Sequence, residues 1–260
     1  MKKSIAILLL LLTSFYGFGQ LPSKLEKISN TRINPFNNIC YLNIYRDRAW
    51  PKKDGSNAST GFFIAPNIIL TAAHNIHSVK GSKVTSIEII PGKNYKEFPY
   101  GTLEIKGEKE CDAAIKTHPE YSFLQLSGNR IKHDFGVIIL PITNFKDLKK
   151  NTFVLDDNYS LKAGDTLNVA GYPADPDYGY DGDFITFQKD ICSFVGNKIF
   201  NHNLDTYRGN SGSPIWVNSD GKNILVGVHT FGNAGTLLDK ENMALIKEWL
   251  KSYSMTADNQ

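Results

Sequence analysis

Cysteine is scarce in this 260-residue chain: Cys40, Cys111 and Cys192 are the only three. That excludes a disulfide-stapled scaffold, and a chain of this length buries a core without staples. None of the three has a second Cys or a His at metal-ligand spacing, so no metal site is expected from them. In an oxidising compartment one disulfide can form with one thiol left over; three small buried residues is the other reading, and the pairing stays open. Charge of one sign is also missing. Twenty-nine Lys and Arg face 26 Asp and Glu, and setting aside Lys2 and Lys3 leaves 27 against 26. A nucleic-acid partner is not expected from that balance. Long apolar runs are missing too: Ile5 to Leu12 falls far short of the roughly 20 residues that cross a bilayer. Helical periodicity is nearly absent before the tail, and no internal repeat stands out.

What is there begins with a leader. Lys2 and Lys3, the apolar run Ile5 to Leu12, and the small residues Gly17 and Gly19 read as a secretory signal peptide over residues 1–19, cut near Gln20. The mature protein is expected in the periplasm or the medium, with no membrane association once the leader is removed. Residues 20–30 are left as a short pro-segment or N-terminal arm.

The body alternates short runs rich in Ile, Val, Phe, Tyr and Thr with clusters of Gly, Pro, Asn and Asp, a β pattern. Strands are expected at Cys40 to Tyr45, Thr60 to Ile64, Ile68 to Thr71, Ser86 to Ile90, Gly136 to Leu140, Thr166 to Ala170, Asp183 to Gln188, Gly212 to Val217 and Ile224 to His229. Many short strands with little helix imply barrels or sandwiches. The exception is the tail, where Leu238, Met243, Ile246, Trp249, Leu250 and Tyr253 recur along one helical stripe. A helix over 236–253 packed on the β body is expected, with 254–260 frayed. The polar stretch 146–160 reads as the linker between a first β half at 31–145 and a second at 161–235.

Three segments carry chemistry: Leu70-Thr71-Ala72-Ala73-His74, His133-Asp134-Phe135-Gly136-Val137, and Gly209-Asn210-Ser211-Gly212-Ser213-Pro214. A serine hydroxyl is a poor nucleophile unless an imidazole takes its proton and a carboxylate fixes that imidazole's tautomer. His74 after an apolar run suits the base. Asp134 before the apolar strand Gly136 to Leu140 suits the orienting carboxylate, and Ser211 between glycines suits the nucleophile. Glycine permits the sharp turn that aims the N–H groups of Gly209 and Ser211 at one oxyanion. Taken singly none decides; the order His, Asp, Ser does, because it separates this set from the other two chain orders of the same chemistry.

On these motifs, with Ala170-Gly171-Tyr172-Pro173, Asp205-Thr206-Tyr207 and Gly227-Val228-His229, the chain from about Thr31 to the tail resembles the chymotrypsin-like serine proteases, and more closely their bacterial glutamyl endopeptidase branch. The resemblance implies an all-β fold of two six-stranded antiparallel barrels with a C-terminal helix. His74 and Asp134 would come from the first barrel and Ser211 from the second. It also implies cleavage after Glu, with Asp second, through Thr206 and His229 in the specificity pocket. Thr230, Phe231 and Gly232 would pair with the substrate backbone as an added strand.

Asp205 points the other way, since an acidic residue there selects Lys or Arg in the trypsin-like branch. An inactive homologue serving as a binding module is the reading from another class. Arg208 departs from the small residue usual at its position, with reach either to the cleft or to solvent, and Asn210 departs from the Asp that receives a freed N-terminal amine. Asp175, Asp177, Asp181 and Asp183 crowd one loop, but their order does not fit a Ca²⁺ loop and a solvated loop is expected. His77, His118, His133 and His202 show no site spacing. Polypeptide substrates, no cofactor and a monomer are the expectations.

Overall fold

A computed structural model describes residues 25–48, 55–79, 81–125, 127–140, 145 and 153–257. The signal peptide, residues 20–24 of the expected arm and residues 146–152 of the expected linker lie outside them. In chain order the strands are β1 (Glu26–Lys27), β2 (Ile39–Arg48), β3 (Gly55–Ala65), β4 (Ile68–Thr71), β5 (Ser82–Pro91), β6 (Leu103–Lys106), β7 (Ile115–Thr117) and β8 (Gly136–Ile139). They continue as β9 (Phe153–Val154), β10 (Thr166–Gly171), β11 (Thr186–Val195), β12 (Ile199–His202), β13 (Pro214–Ser219), β14 (Lys222–Phe231) and β15 (Ala234–Leu237). Four α-helices accompany them among the described residues: α1 (Ala73–Ile76), α2 (Glu108–Ala114), α3 (Ser127–Ile131) and α4 (Lys240–Ala257).

The strands form two sheets with a chymotrypsin-like arrangement. In the second half, β11-β10-β13-β14-β15-β12 run in order and β11 also pairs with β12, closing a six-stranded barrel. The first half is a seven-stranded sheet ordered β6-β5-β2-β3-β4-β8-β7, and no pairing joins its edges among the described residues. Two hydrogen-bonded barrels were expected; one closes. In the other, α2 packs against β5, β6 and β7 and buries Cys111 and Ala114, so a helix occupies the place where the ladder would close.

The apolar runs explain which strands are central. β4 and β8 are buried along their whole length, and pair with each other from Ile68 against Ile139 to Thr71 against Gly136. Continuous Ile and Val suit strands covered on both faces. Each half has its own core, around Leu42, Ile69 and Ile87 in the first and Leu167, Ile215 and Val226 in the second. A third cluster joins the halves, bringing Phe62, Leu70 and Phe135 together with Tyr172, Trp216 and Val228, and seating Leu238, Met243 and Ile246 at the start of the tail helix.

Several boundaries differ from the sequence expectation. Residues Phe153 and Val154, inside the expected linker, form β9 parallel to β14. Phe153 stacks edge-on between Phe62 at 5.3 Å and Trp216 at 5.5 Å, so it belongs to the core rather than to a solvated spacer. The tail helix starts at Lys240 and runs to Ala257, four residues later than the expected 236–253 and of the same length. Asp239 sets its start by accepting the Asn242 N–H at 2.9 Å, as an N-cap does, while residues 234–237 are used in β15. Residues 258–260 of the expected frayed tail are outside the described chain. The N-terminal arm is stitched on: β1 pairs with β11, Ile28 donates to Ile185 O at 2.9 Å, and Thr31 Oγ1 donates to Gly92 O at 2.6 Å. All three cysteines are free and buried. Burial pushes the Cys111 thiol up to about 11, the behaviour of inert packed thiols rather than reactive ones.

Candidate active site

Strand β4 delivers its chain into the single turn α1, and His74 is the second residue of that turn. Asp134 sits just before β8, the neighbour of β4, so strand pairing alone brings the two together. Both carboxylate oxygens of Asp134 are used. Oδ1 accepts the His74 backbone N–H at 2.9 Å, and Oδ2 lies 2.8 Å from His74 Nδ1. A carboxylate only accepts, so Nδ1 carries the proton and Nε2 is left with its lone pair toward the cleft. Asp134 is 2% exposed, which strengthens this charge-assisted bond.

Ser211 lies on the turn leading into β13, and the first half grips that turn. Thr60 N–H donates to Ser211 O at 3.0 Å, Thr60 Oγ1 donates to Gly209 O at 2.8 Å, and Asn75 Nδ2 donates to Ser211 O at 2.9 Å. Carbonyl directions then fix N–H directions, because the two point opposite ways across a planar trans peptide. Arg208 O accepts from Ala174 N–H at 2.6 Å, and Asn210 O accepts from Ser213 N–H at 2.9 Å. The N–H groups of Gly209 and Ser211 therefore point away from those partners, at residues that line the cleft, and neither has an acceptor among the described residues. Gly209 is required here: its φ is +89°, and a Cβ would lie 2.3 Å from Tyr172 O.

These groups open into one cleft of about 770 Å³, lined by His74, Thr206, Gly209, Ser211 and His229 among others. His229 is 2% exposed, with its Nδ1 3.3 Å from His202 Nε2. Burial first, then the neighbouring His202 and His74, lower its pKa well below the ordinary histidine value. Its ring is neutral at pH 7 and can offer one N–H. Thr206 Oγ1 donates to Gly232 O at 2.8 Å, so its proton is committed within the wall and its oxygen is free. Thr230 is buried, whereas Phe231 stands exposed on the same strand. On the Ser211 side the β13–β14 ladder ends at Pro214 and Val228, leaving residues 230–232 as an edge that an extended peptide can join.

Asp205 is turned to a partner. Its Oδ2 accepts from Gln188 Nε2 at 3.2 Å, and its N–H donates to Gln188 Oε1. Arg208 is 73% exposed, with Nε 3.9 Å from Asp175 and a terminal nitrogen 3.8 Å from Asp177, a surface arrangement that contributes little. Asp183 pairs with Lys93 Nζ at 3.0 Å, and Asp181 accepts the Asp183 N–H at 3.0 Å. The crowded loop is thus tied by ion pairs and turns. Asn210 Oδ1 accepts the Tyr207 N–H at 3.0 Å. Sequence reasoning missed Thr60, Asn75, Gln188 and His202 as supports of the site. Thr60 and Gln188 gave one usable signal, a polar side chain on the buried face of its strand.

Two β halves meeting at a cleft that carries a paired His and Asp, a serine and two unpaired N–H groups define the chymotrypsin-like class. The chain belongs to the family of the trypsin-like peptidase domain, which it matches over residues 59–228. It is 27% identical over 234 residues to an extracellular metalloprotease of Bacillus subtilis, covering 86% of this chain and 66% of that protein. It is 24% identical over 213 residues to a glutamyl endopeptidase of Staphylococcus epidermidis, covering 80% of this chain and 64% of that protein. The chain thus spans just under two thirds of the length of each of these relatives. A solved Glu endopeptidase in complex with MPD has the same fold, with TM-score 0.66, 22% identity, and coverage of 88% of this chain and 97% of that one. The metal in the first relative's name finds no fit here: among the described residues no three His, Cys, Asp or Glu side chains converge to hold an ion.

Proposed function

We propose that this protein is a secreted serine endopeptidase that cleaves peptide bonds after Glu, with Asp second. The observation that carries the proposal is the His74 Nδ1 to Asp134 Oδ2 contact at 2.8 Å, facing the same cleft as Ser211 and His229. The family membership and the glutamyl endopeptidase relative support it.

Ser211 Oγ attacks the backbone carbonyl carbon of the substrate Glu, and His74 Nε2 takes the proton. Asp134 holds the ring and stabilises the imidazolium, and the N–H groups of Gly209 and Ser211 stabilise the oxyanion. His74 returns the proton to the leaving amine, and water then repeats the sequence on the acyl-enzyme. The substrate backbone adds as a strand along Thr230, Phe231 and Gly232, which sets register. Its carboxylate reaches His229 and the Thr206 hydroxyl, whose proton turns from Gly232 O to the anion, and the ring gains a proton against that anion. Asp205 does not face a Lys or Arg in this reading, because Gln188 engages its carboxylate. No cofactor takes part. The leader directs export, and the enzyme acts as a monomer on polypeptides.

The test is a map of cleavage sites in a denatured protein mixture by mass spectrometry, beside assays on Glu and Arg chromogenic peptides. Cleavage after Glu, lost in Ser211→Ala, is expected. Cleavage after Lys or Arg would replace the acidic specificity with the Asp205 reading, and a wild-type protein inert to a fluorophosphonate probe would leave a binding module.

A further inference from the structure

We propose that Arg46 is a positioning residue that holds the His74 turn in register with Asp134 and Ser211, an inference that rests on the peptidase reading above. Arg46 follows Leu42 and Ile44 on the inward face of β2, where the alternation calls for an aliphatic side chain. It is 8% exposed. The β2–β5 ladder shifts register between Tyr45 and Arg46, and such irregularities re-aim side chains.

The guanidinium reaches the carbonyl end of α1. One terminal nitrogen donates to Asn75 O at 2.6 Å and lies 3.5 Å from His74 O; the other donates to His77 O at 3.0 Å and Ser82 O at 3.3 Å. A four-residue helix leaves its last carbonyls without intrahelical partners. A planar fork of five donors suits that cluster better than any neutral side chain. A buried cation is costly unless hydrogen-bonded, so this placement is maintained by the carbonyls it binds.

His74 is consequently held from both ends of its own residue. Asp134 takes the backbone N–H and the ring Nδ1–H, and Arg46 binds the carbonyl side of the same turn. The Asp134 bonds fix the ring and the Asn75 amide ties the turn to Ser211 O and Thr71 Oγ1; Arg46 holds its carbonyl end, and without it that end can pivot. Pivoting swings Nε2 relative to Ser211 while leaving the Thr206 and His229 pocket intact, and misplacement by about 1 Å costs about 10²-fold in rate.

The test uses the full chain with Arg46→Met, which keeps bulk without donors, and Arg46→Lys, which restores charge with a single donor head. Folding is checked by near-UV circular dichroism. For Arg46→Met, kcat on a Glu peptide is expected to fall about 10²-fold with KM changed by less than about twofold. Fluorophosphonate labelling slows in parallel, and the downfield proton resonance of the His74 Nδ1–H to Asp134 bond is lost. Arg46→Lys is expected to recover part of kcat. A folded Arg46→Met protein with wild-type kcat and a retained downfield proton overturns the inference. Should Arg46→Met not fold, wild-type kcat in Arg46→Lys overturns it and an intermediate kcat at unchanged KM supports it. If the wild-type protein neither cleaves peptides nor takes the probe, the peptidase reading has failed; the downfield proton, compared between wild type and variants, still decides the role of Arg46.

Discussion

Ser211 Oγ donates its proton to the carbonyl of Thr230 at 3.2 Å, and no hydrogen bond joins it to His74. The hydroxyl is parked on the edge that an incoming peptide would use. A substrate strand adding along residues 230–232 places a backbone N–H on that carbonyl and displaces the hydroxyl toward the free lone pair of His74 Nε2. The energy of strand addition is then used to assemble the catalytic pair, so it should appear in kcat. A peptide N-methylated at the amide of its Glu is therefore expected to lose kcat by about 10-fold or more, beyond any rise in KM. Steady-state kinetics on matched peptides checks this; a change confined to KM sinks it.

Gly209 tests the oxyanion site separately from the triad. Its φ of +89° and the 2.3 Å and 2.6 Å approaches of Tyr172 O and Ala174 N to a built Cβ leave no room for a side chain. Gly209→Ala must shift this backbone, and with it the N–H at the cleft. A loss of about 10²–10³-fold in kcat is expected, with the downfield proton of the His74 to Asp134 bond retained. An alanine variant with wild-type turnover would show that this N–H does not bear on the reaction.

How far the sequence disclosed these features depends on where each bond is made. His74, Asp134 and Ser211 could be singled out in the sequence because each sits in a local motif of small residues and apolar strand. Strands β4 and β8 were legible because both faces are buried and the apolar run is unbroken. Phe153 was not: within a polar stretch a single aromatic gives no period, and its burial between Phe62 and Trp216 depends on residues about 90 and 60 positions away. Arg46 was illegible for a related reason. Its partners are backbone carbonyls of a turn some 30 residues on, and carbonyls carry no sequence signal. The missing closure of the first sheet is likewise a tertiary matter, since α2 fills the gap.

A loss of stability in acid follows from histidines held neutral by burial. His118 stacks on His133 with ring centroids 4.4 Å apart, and burial with that neighbour lowers the His118 pKa to about 4. Burial likewise lowers His202 to about 4. In the unfolded chain both titrate near 6.5, so on acidification the unfolded state takes up protons first. Stability conferred by the neutral rings is fully present above about pH 6.5 and declines as pH falls toward 4. Urea unfolding between pH 7 and 4.5 should show a loss on the order of a few kcal/mol, and His118→Asn should flatten part of that slope. A flat profile across this window would contradict the assignment.

His229 makes the final prediction, because its neutral ring must meet a carboxylate. Burial, His202 and His74 hold its pKa well below the ordinary value in the free protein. A bound Glu side chain supplies the opposite charge and raises it. In the free protein near pH 7 this ring is neutral, with a single N–H, whereas the complex favours the doubly protonated imidazolium. Binding therefore takes up protons, and affinity for an acidic side chain rises as pH falls from the pKa of the complex toward the lower pKa of the free protein. Calorimetry of an inactive Ser211→Ala protein with a Glu-containing peptide, repeated in buffers of different ionisation heat, should report fractional proton uptake. His229→Asn should abolish that uptake together with the preference for Glu over Gln. Binding with no proton exchange and no pH dependence between 5.5 and 7.5, the range about the ordinary histidine value, would remove His229 from the recognition of acidic side chains.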